Sequence, residues 1–124
     1  MKKLITYTIL VVSIFSLIGL TYQSYSSYID KQNFPPTGNL VDIGGYKLHI
    51  KQLGKGDTTV VFDAGMGDSL LAWNHVIPDI SKVAKVFAYD RAGLGWSEKS
   101  PLPRTSLHVV EELHVLLEKR SEER

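Results

Sequence analysis

Behind Lys2 and Lys3 no charged side chain occurs until Asp30, and Leu4–Leu20 is almost continuously apolar, relieved only by Thr6, Tyr7, Thr8, Ser13, Ser16 and Gly19. This run removes the first third of the chain from any globular core. It is apolar on every side, whereas a surface helix of a soluble domain keeps a polar face. Its 17 residues, as a helix, span about 25 Å at ~1.5 Å per residue. Thr21 and Tyr22 nearly complete the roughly 30 Å of a bilayer's hydrocarbon core. Tyr22, Tyr25 and Tyr28 follow at three-residue spacing, where amphipathic rings suit the lipid–water boundary. Because the two lysines precede the run, its amino end is expected in the cytoplasm and the remainder outside it. Membrane lipid, contacted through Leu4–Tyr22, is therefore an expected partner. The alternative is a secretory signal peptide, which would release the remainder as a secreted protein. No A-x-A cleavage site follows, Ser24-Tyr25-Ser26 being a weak substitute, and this favours a retained anchor.

The organisation expected is thus residues 1–22 as cytoplasmic start and anchor, 23–38 as a polar stalk, and 39–124 as the folded part. The stalk ends in the breaker Pro35-Pro36-Thr37-Gly38. Some 86 residues are few for an α/β enzyme, whose single domain usually needs about 100–200. Apolar residues at 44% and charged residues at 22% are ordinary for a chain that folds. A net charge of +1 without a basic stripe gives no case for nucleic acid. The lack of cysteine excludes disulfides, thiol nucleophiles, thiolate metal sites and a lipidated cysteine.

Past the stalk, strands and helices alternate. Leu40–Ile43 and Tyr46–Leu53 flank Gly44-Gly45, a strong hairpin signal. In the second run Tyr46, Leu48 and Ile50 alternate with Lys47, His49 and Lys51, which places His49 on a wet face. Gly54-Lys55-Gly56-Asp57 is a turn, and the β-branched run Thr58–Asp63 suits a strand covered on both faces. A helix is expected over Leu70–Ser81, limited or kinked by Pro78, and a buried strand over Val83–Tyr89. A loop of glycine and proline spans Arg91–Arg104. The last helix starts near Thr105 or Ser106, with Leu107, Val110, Leu113 and Leu117 on its apolar face. Helices crossing between strands imply an α/β fold with parallel strands.

Three pieces, in this order and spacing, resemble the α/β-hydrolase superfamily: GGYKLHIKQLGKG, VVFDAGMGDS, and VFAYDRAGLGWS followed by PLPRTS and VVEELHVLLEK. The resemblance covers about Asn39–Lys119. It implies the amino-terminal half of an α/β-hydrolase sheet, a hairpin followed by parallel strands with crossover helices. It also implies that Gly65, Met66 and Gly67 form the loop after the third strand, whose backbone N–H, by position that of Met66, helps stabilise the oxyanion of acyl transfer. The chain has Asp63-Ala64 where many relatives carry His-Gly. In the D-R-x-G-x-G-x-S signature, Asp90, Arg91, Gly93, Gly95 and Ser97 are expected to support the loop beside the site, Asp90 and Arg91 by bonding its backbone.

Such enzymes carry their nucleophile on G-x-S-x-G, with the acid and the histidine later. No G-x-S-x-G occurs here. The nearest approach, Gly67-Asp68-Ser69-Leu70-Leu71, lacks the second glycine and sits one loop too early. A triad of Ser69, then Asp79 or Asp90, then His108 or His114 satisfies chain order alone, and a triad is recognised by geometry. Ser69 is better read as a helix cap. His49 and His75 have no partner at metal-ligand spacing, and no cofactor is expected. The expectation is therefore a truncated, membrane-anchored hydrolase. It would be inactive alone and take a small-molecule substrate only when completed. The alternative is a membrane-tethered, non-catalytic module that pairs with another chain. Esterases, epoxide hydrolases, dehalogenases and carbon–carbon bond hydrolases share this front half, so the substrate stays open.

Overall fold

A computed structural model describes residues 1–122, in two units, Met1–Pro35 and Pro36–Arg124. The first unit is one helix, α1 (Lys2–Asn33), of 32 residues with none of its side chains buried within the chain. At ~1.5 Å per residue it is about 48 Å long, and it is long and apolar enough to cross a membrane. The hydroxyls of Thr6, Thr8, Thr21 and Ser24 donate to carbonyls four residues back at 2.8–3.0 Å. Their hydrogen bonds are thus met inside the helix, as a bilayer interior requires. The helix continues through most of the segment read above as a stalk. Nothing between Gln23 and Asn33 breaks it, because proline first appears at Pro35.

The second unit contains β1 (Asn39–Asp42), β2 (Lys47–Leu53), β3 (Thr59–Asp63), a 3₁₀ turn (Leu70–Trp73), α2 (Ile77–Ile80), β4 (Lys85–Tyr89) and α3 (Ser106–Glu122). The four strands form one sheet in the order β1-β2-β4-β3. β1 pairs antiparallel with β2, β2 antiparallel with β4, and β3 parallel with β4 in the register Val61↔Phe87. At the hairpin turn, the Asp42 carboxylate accepts from the N–H groups of Gly44 and Gly45 at 2.8 and 3.0 Å. Those bonds hold its pKa below the ordinary carboxylate range.

Each face of the sheet has its own core. On one, Leu48, Ile50, Phe87 and Tyr89 pack with Leu116, backed by Leu113 and Val115 of α3. On the other, Phe62, Val86 and Ala88 pack with Leu70 and Ile77, backed by Trp73 and Ile80. Full burial of a side chain of this size contributes about 1.5–3 kcal/mol, so these two clusters hold the layers together. α3 is also fixed by polar contacts. Glu112, which is buried, accepts from the Tyr46 hydroxyl at 2.8 Å and from Arg104 Nη1 at 2.7 and 2.8 Å.

Three local expectations are corrected. The buried face of α3 is not Leu107, Val110, Leu113 and Leu117: Leu107, Val110 and Leu117 are exposed, and Leu116 packs on the sheet with Glu112 buried beside it. The single helix over Leu70–Ser81 is instead a 3₁₀ turn followed by the short α2. Asn74 and Val76 donate to carbonyls three residues back, and Pro78 sits at the start of α2, where its missing N–H leaves no intrahelical bond unmade. The strand Thr58–Asp63 is not covered on both faces, since Val61 is 40% exposed. α3 covers the neighbouring strands on that face and leaves β3 at the margin.

Candidate active-site cleft

β3 and β4 are parallel, so both end at the same edge of the sheet, and there the two glycine-bearing loops meet. Ligands of open α/β sheets bind outside the carboxyl ends of such strands. Asp63 closes β3 and Arg91 follows β4. Arg91 Nε and Nη2 donate to the two Asp63 carboxylate oxygens at 2.8 and 2.5 Å, a bidentate pair that ties one loop to the other. This pair raises the Arg91 pKa. Arg91 therefore supports the loops through a side chain, not through their backbone as its place in the signature implied. Beside the pair, the buried Tyr89 hydroxyl makes no hydrogen bond of ordinary geometry. Burial and the Asp63 charge push its pKa up to about 12.

Raising a folded-state pKa means stability is full below the unfolded value of 10 and falls as pH climbs toward the folded one. The second unit should therefore lose up to about 3 kcal/mol between pH 10 and pH 12. In alkaline titrations followed by circular dichroism, Tyr89→Phe should remove most of that loss.

Asp90 organises the rest. It is fully buried. Its Oδ1 accepts from Leu70 N–H at 2.7 Å and its Oδ2 from Trp96 N–H at 3.1 Å. Oδ2 also lies 2.8 Å from His49 Nδ1. One carboxylate thus joins β2, the start of the 3₁₀ turn and the returning loop. Ser97 completes the attachment: its hydroxyl donates to the Asp90 carbonyl at 2.6 Å and accepts from His49 N–H at 2.8 Å. Gly95 is obligatory here, because φ is +51° and a Cβ would stand 2.2 Å from Asp90 Oδ2. Gly93, also at positive φ, forms the outer bend of the same loop, its N–H donating to the Glu98 carbonyl at 2.9 Å.

His49 was expected on a wet face and is in fact fully buried. Its ring lies 5.0 Å from that of Trp96, which covers it. The register explains the difference. Ile50 is paired with Tyr89, so the next step along the ladder sets His49 opposite Asp90, and Asp90 N–H donates to the His49 carbonyl at 2.9 Å.

The loop Gly65–Gly67 stands exposed at the mouth, Met66 being 97% accessible. Gly67 has φ +84°. The Asp68 N–H closes the turn onto the Gly65 carbonyl at 3.2 Å. Among the described residues, the N–H groups of Met66 and Gly67 donate to nothing. They border a cleft of about 790 Å³ whose walls also include Ala92, Leu94, Val109 and Val110.

The residues of the forced triad do not converge. Ser69 Oγ caps the 3₁₀ turn, accepting from Leu71 N–H. His108 Nδ1 is held by the Pro103 carbonyl at 2.7 Å, and His114 pairs with Glu118 on α3. Asp79 pairs with the exposed Lys82. Among the described residues no group of three or more acidic or histidine side chains is placed to hold a metal.

No family model matches the chain. Over 76 residues it is 40% identical to the uncharacterized protein YqjL of Bacillus subtilis (strain 168), a match that takes in 60% of this chain and 30% of that one. The fold is similar to that of the epoxide hydrolase CorEH, with a TM-score of 0.61 and 29% identity over 67% of this chain and 29% of that one. It is also similar to the enol-lactonase of Burkholderia xenovorans LB400, with a TM-score of 0.60 and 25% identity over 64% of this chain and 32% of that one. The chain belongs to the α/β-hydrolase superfamily. It spans about a third or less of the length of these relatives. Within that span this α/β-hydrolase chain contains the opening hairpin, the third and fourth strands and their two loops.

Proposed function

We propose that this α/β-hydrolase chain forms one wall of an acyl-transfer site, in which the Met66 N–H stabilises the oxyanion that develops on a substrate carbonyl. The observation that carries this reading is the pair of undonated N–H groups at Met66 and Gly67, at the carboxyl ends of β3 and β4 and over an open cleft. A donor held ready at such a place typically lowers the barrier by about 3–4 kcal/mol, or ~100- to 1000-fold in rate. Asp90, Ser97 and the Asp63–Arg91 pair serve the site by fixing its two loops. The chemistry would be hydrolysis of an ester or related bond once a nucleophile, an acid and a histidine are supplied. None of the three is assigned to this chain's own residues, so the chain alone is proposed to be inactive. α1 is proposed to hold it in a membrane with the amino end cytoplasmic, on the strength of Lys2 and Lys3 and the apolar run behind them.

The full chain in detergent should hydrolyse p-nitrophenyl butyrate no faster than buffer does. Activity that survives purification and vanishes in Ser69→Ala would overturn the inactivity. Fractionation tests the anchor: the chain should stay in membranes after a high-salt wash and leave them when residues 1–22 are deleted. Full-length chain found soluble at its original amino-terminal mass would contradict it. One observation favours a second reading, a tethered module that pairs with another chain without catalysis. β3 is an open sheet edge with an apolar margin at Val61.

A further inference from the structure

The cleft below Met66 has an imbalance of charge. Its lining includes Arg91, Lys99 and Arg104 but a single carboxylate, Asp63. Arg91 is committed to Asp63, and Arg104 to the buried Glu112. Lys99 has no acidic partner among the described residues. Its stem lies by the bend of the loop, where a Cβ added to Gly93 would stand 3.7 Å from Lys99 Cγ. The first turn of α3 enters the same cleft through Ser106 and Val109, and its helix dipole adds partial positive charge there. The lining also has an apolar part, formed by Met66, Leu94, Val109 and Val110.

We infer that the cleft selects substrates bearing a free carboxylate on a short apolar chain, with Lys99 as the group that reads the charge. This rests on the cleft being the substrate site. The apolar chain would lie on Leu94, Val109 and Val110 and bring the scissile carbonyl toward the Met66 N–H, while the carboxylate meets Lys99. Lys99 is exposed, so its pairing is screened by solvent and the preference is modest, about fivefold. It weakens as salt is added. The two arginines cannot serve as clean probes, because each also closes a structural ion pair. Lys99 bonds no other side chain, so its replacement leaves the fold intact.

The test is titration of the ¹⁵N-labelled full chain, in a non-ionic detergent, with pentanoate and with its neutral counterpart pentanamide. The expected result is movement of the Gly93, Ser100, Ser106 and Val109 amide signals, with pentanoate bound about fivefold more tightly. Lys99→Gln should abolish that preference, Lys99→Glu should reverse it, and Lys55→Gln, on the turn away from the cleft, should leave it unchanged. Equal binding of the two probes, or a preference that persists in Lys99→Gln, overturns the inference while leaving the cleft as a ligand site. Failure of both probes to move any cleft amide overturns the inference together with the reading on which it rests.

Discussion

Pro36–Arg124, expressed without α1, is expected to sediment as oligomers or aggregates and to exchange the amides of Thr59–Asp63 rapidly in any monomeric fraction. β3 is the terminal strand of the sheet. Its sequence TVVFD has three adjacent β-branched residues and no proline, and Val61 is 40% exposed. Unpaired N–H and C=O groups along such a strand are a template for another chain. A groove beside it, lined by Leu53, Val61, Phe87 and Leu117, extends the apolar margin onto the sheet face. The other edge is less exposed to this hazard, because β1 has only four residues and ends in Asp42. Leaving a valine wet forgoes about 1.5–3 kcal/mol. Against a net domain stability of about 5–15 kcal/mol, a few such losses decide the outcome. Val61→Lys places a charge on the margin and should shift the sedimentation profile toward monomer. A sharp monomer peak for the unsubstituted unit, with strong protection across Thr59–Asp63, would show that this edge is covered in some other way.

The second large effect is expected at Asp90. Asp90→Ala removes the acceptor for the Leu70 and Trp96 N–H groups and the partner of His49 Nδ1, all at a fully buried position. Each donor left buried and unpaired costs about 1–3 kcal/mol. The sum, roughly 3–9 kcal/mol, rivals the stability of the whole unit. In urea titrations of the full chain in detergent, followed by tryptophan fluorescence, the variant should show no cooperative transition. Ser97→Ala leaves the carboxylate in place and should lower the midpoint only modestly, by about 1–2 kcal/mol in free energy. An Asp90→Ala variant as stable as the parent would mean that the loops are held mainly by the Asp63–Arg91 pair.

The elements that were legible in the sequence are those whose signal is local. The strand at Lys85–Tyr89 and the hairpin about Gly44-Gly45 each follow from a run or a turn within a few residues, whereas the stripe read for α3 is displaced, since Leu107, Val110 and Leu117 are exposed and Glu112 and Leu116 are buried. The helix-like run at Leu70–Ser81 misled because its apolar spacing suits a helix, while Pro78 starts a new short helix and does not kink a long one. His49 misled for a different reason. Alternation along β2 fixes which side of the strand it faces, but what meets it on that side is Asp90, 41 residues away in sequence, and Trp96 of the loop that follows. The β2–β4 register would have revealed the pairing, and register is not readable from either strand alone. Likewise the resemblance placed Asp63 and Arg91 on two separate loops, and only the parallel pairing of β3 with β4 brings them into one ion pair. The glycine loop Gly65–Gly67 was located by its order in the chain. That its Met66 and Gly67 N–H groups stand undonated is a matter of three-dimensional structure.

The account depends most on those two N–H groups. Butylphosphonate offers a tetrahedral oxyanion on a short apolar chain, and titrating it into the ¹⁵N-labelled full chain in detergent tests them directly. The Met66 and Gly67 amide protons should move downfield saturably as they become donors, with smaller shifts at Ala92 and Val109 and none at Lys55 or Gly56. Saturable shifts elsewhere in the cleft with Met66 and Gly67 unmoved would contradict the oxyanion role, and so would no shift at all.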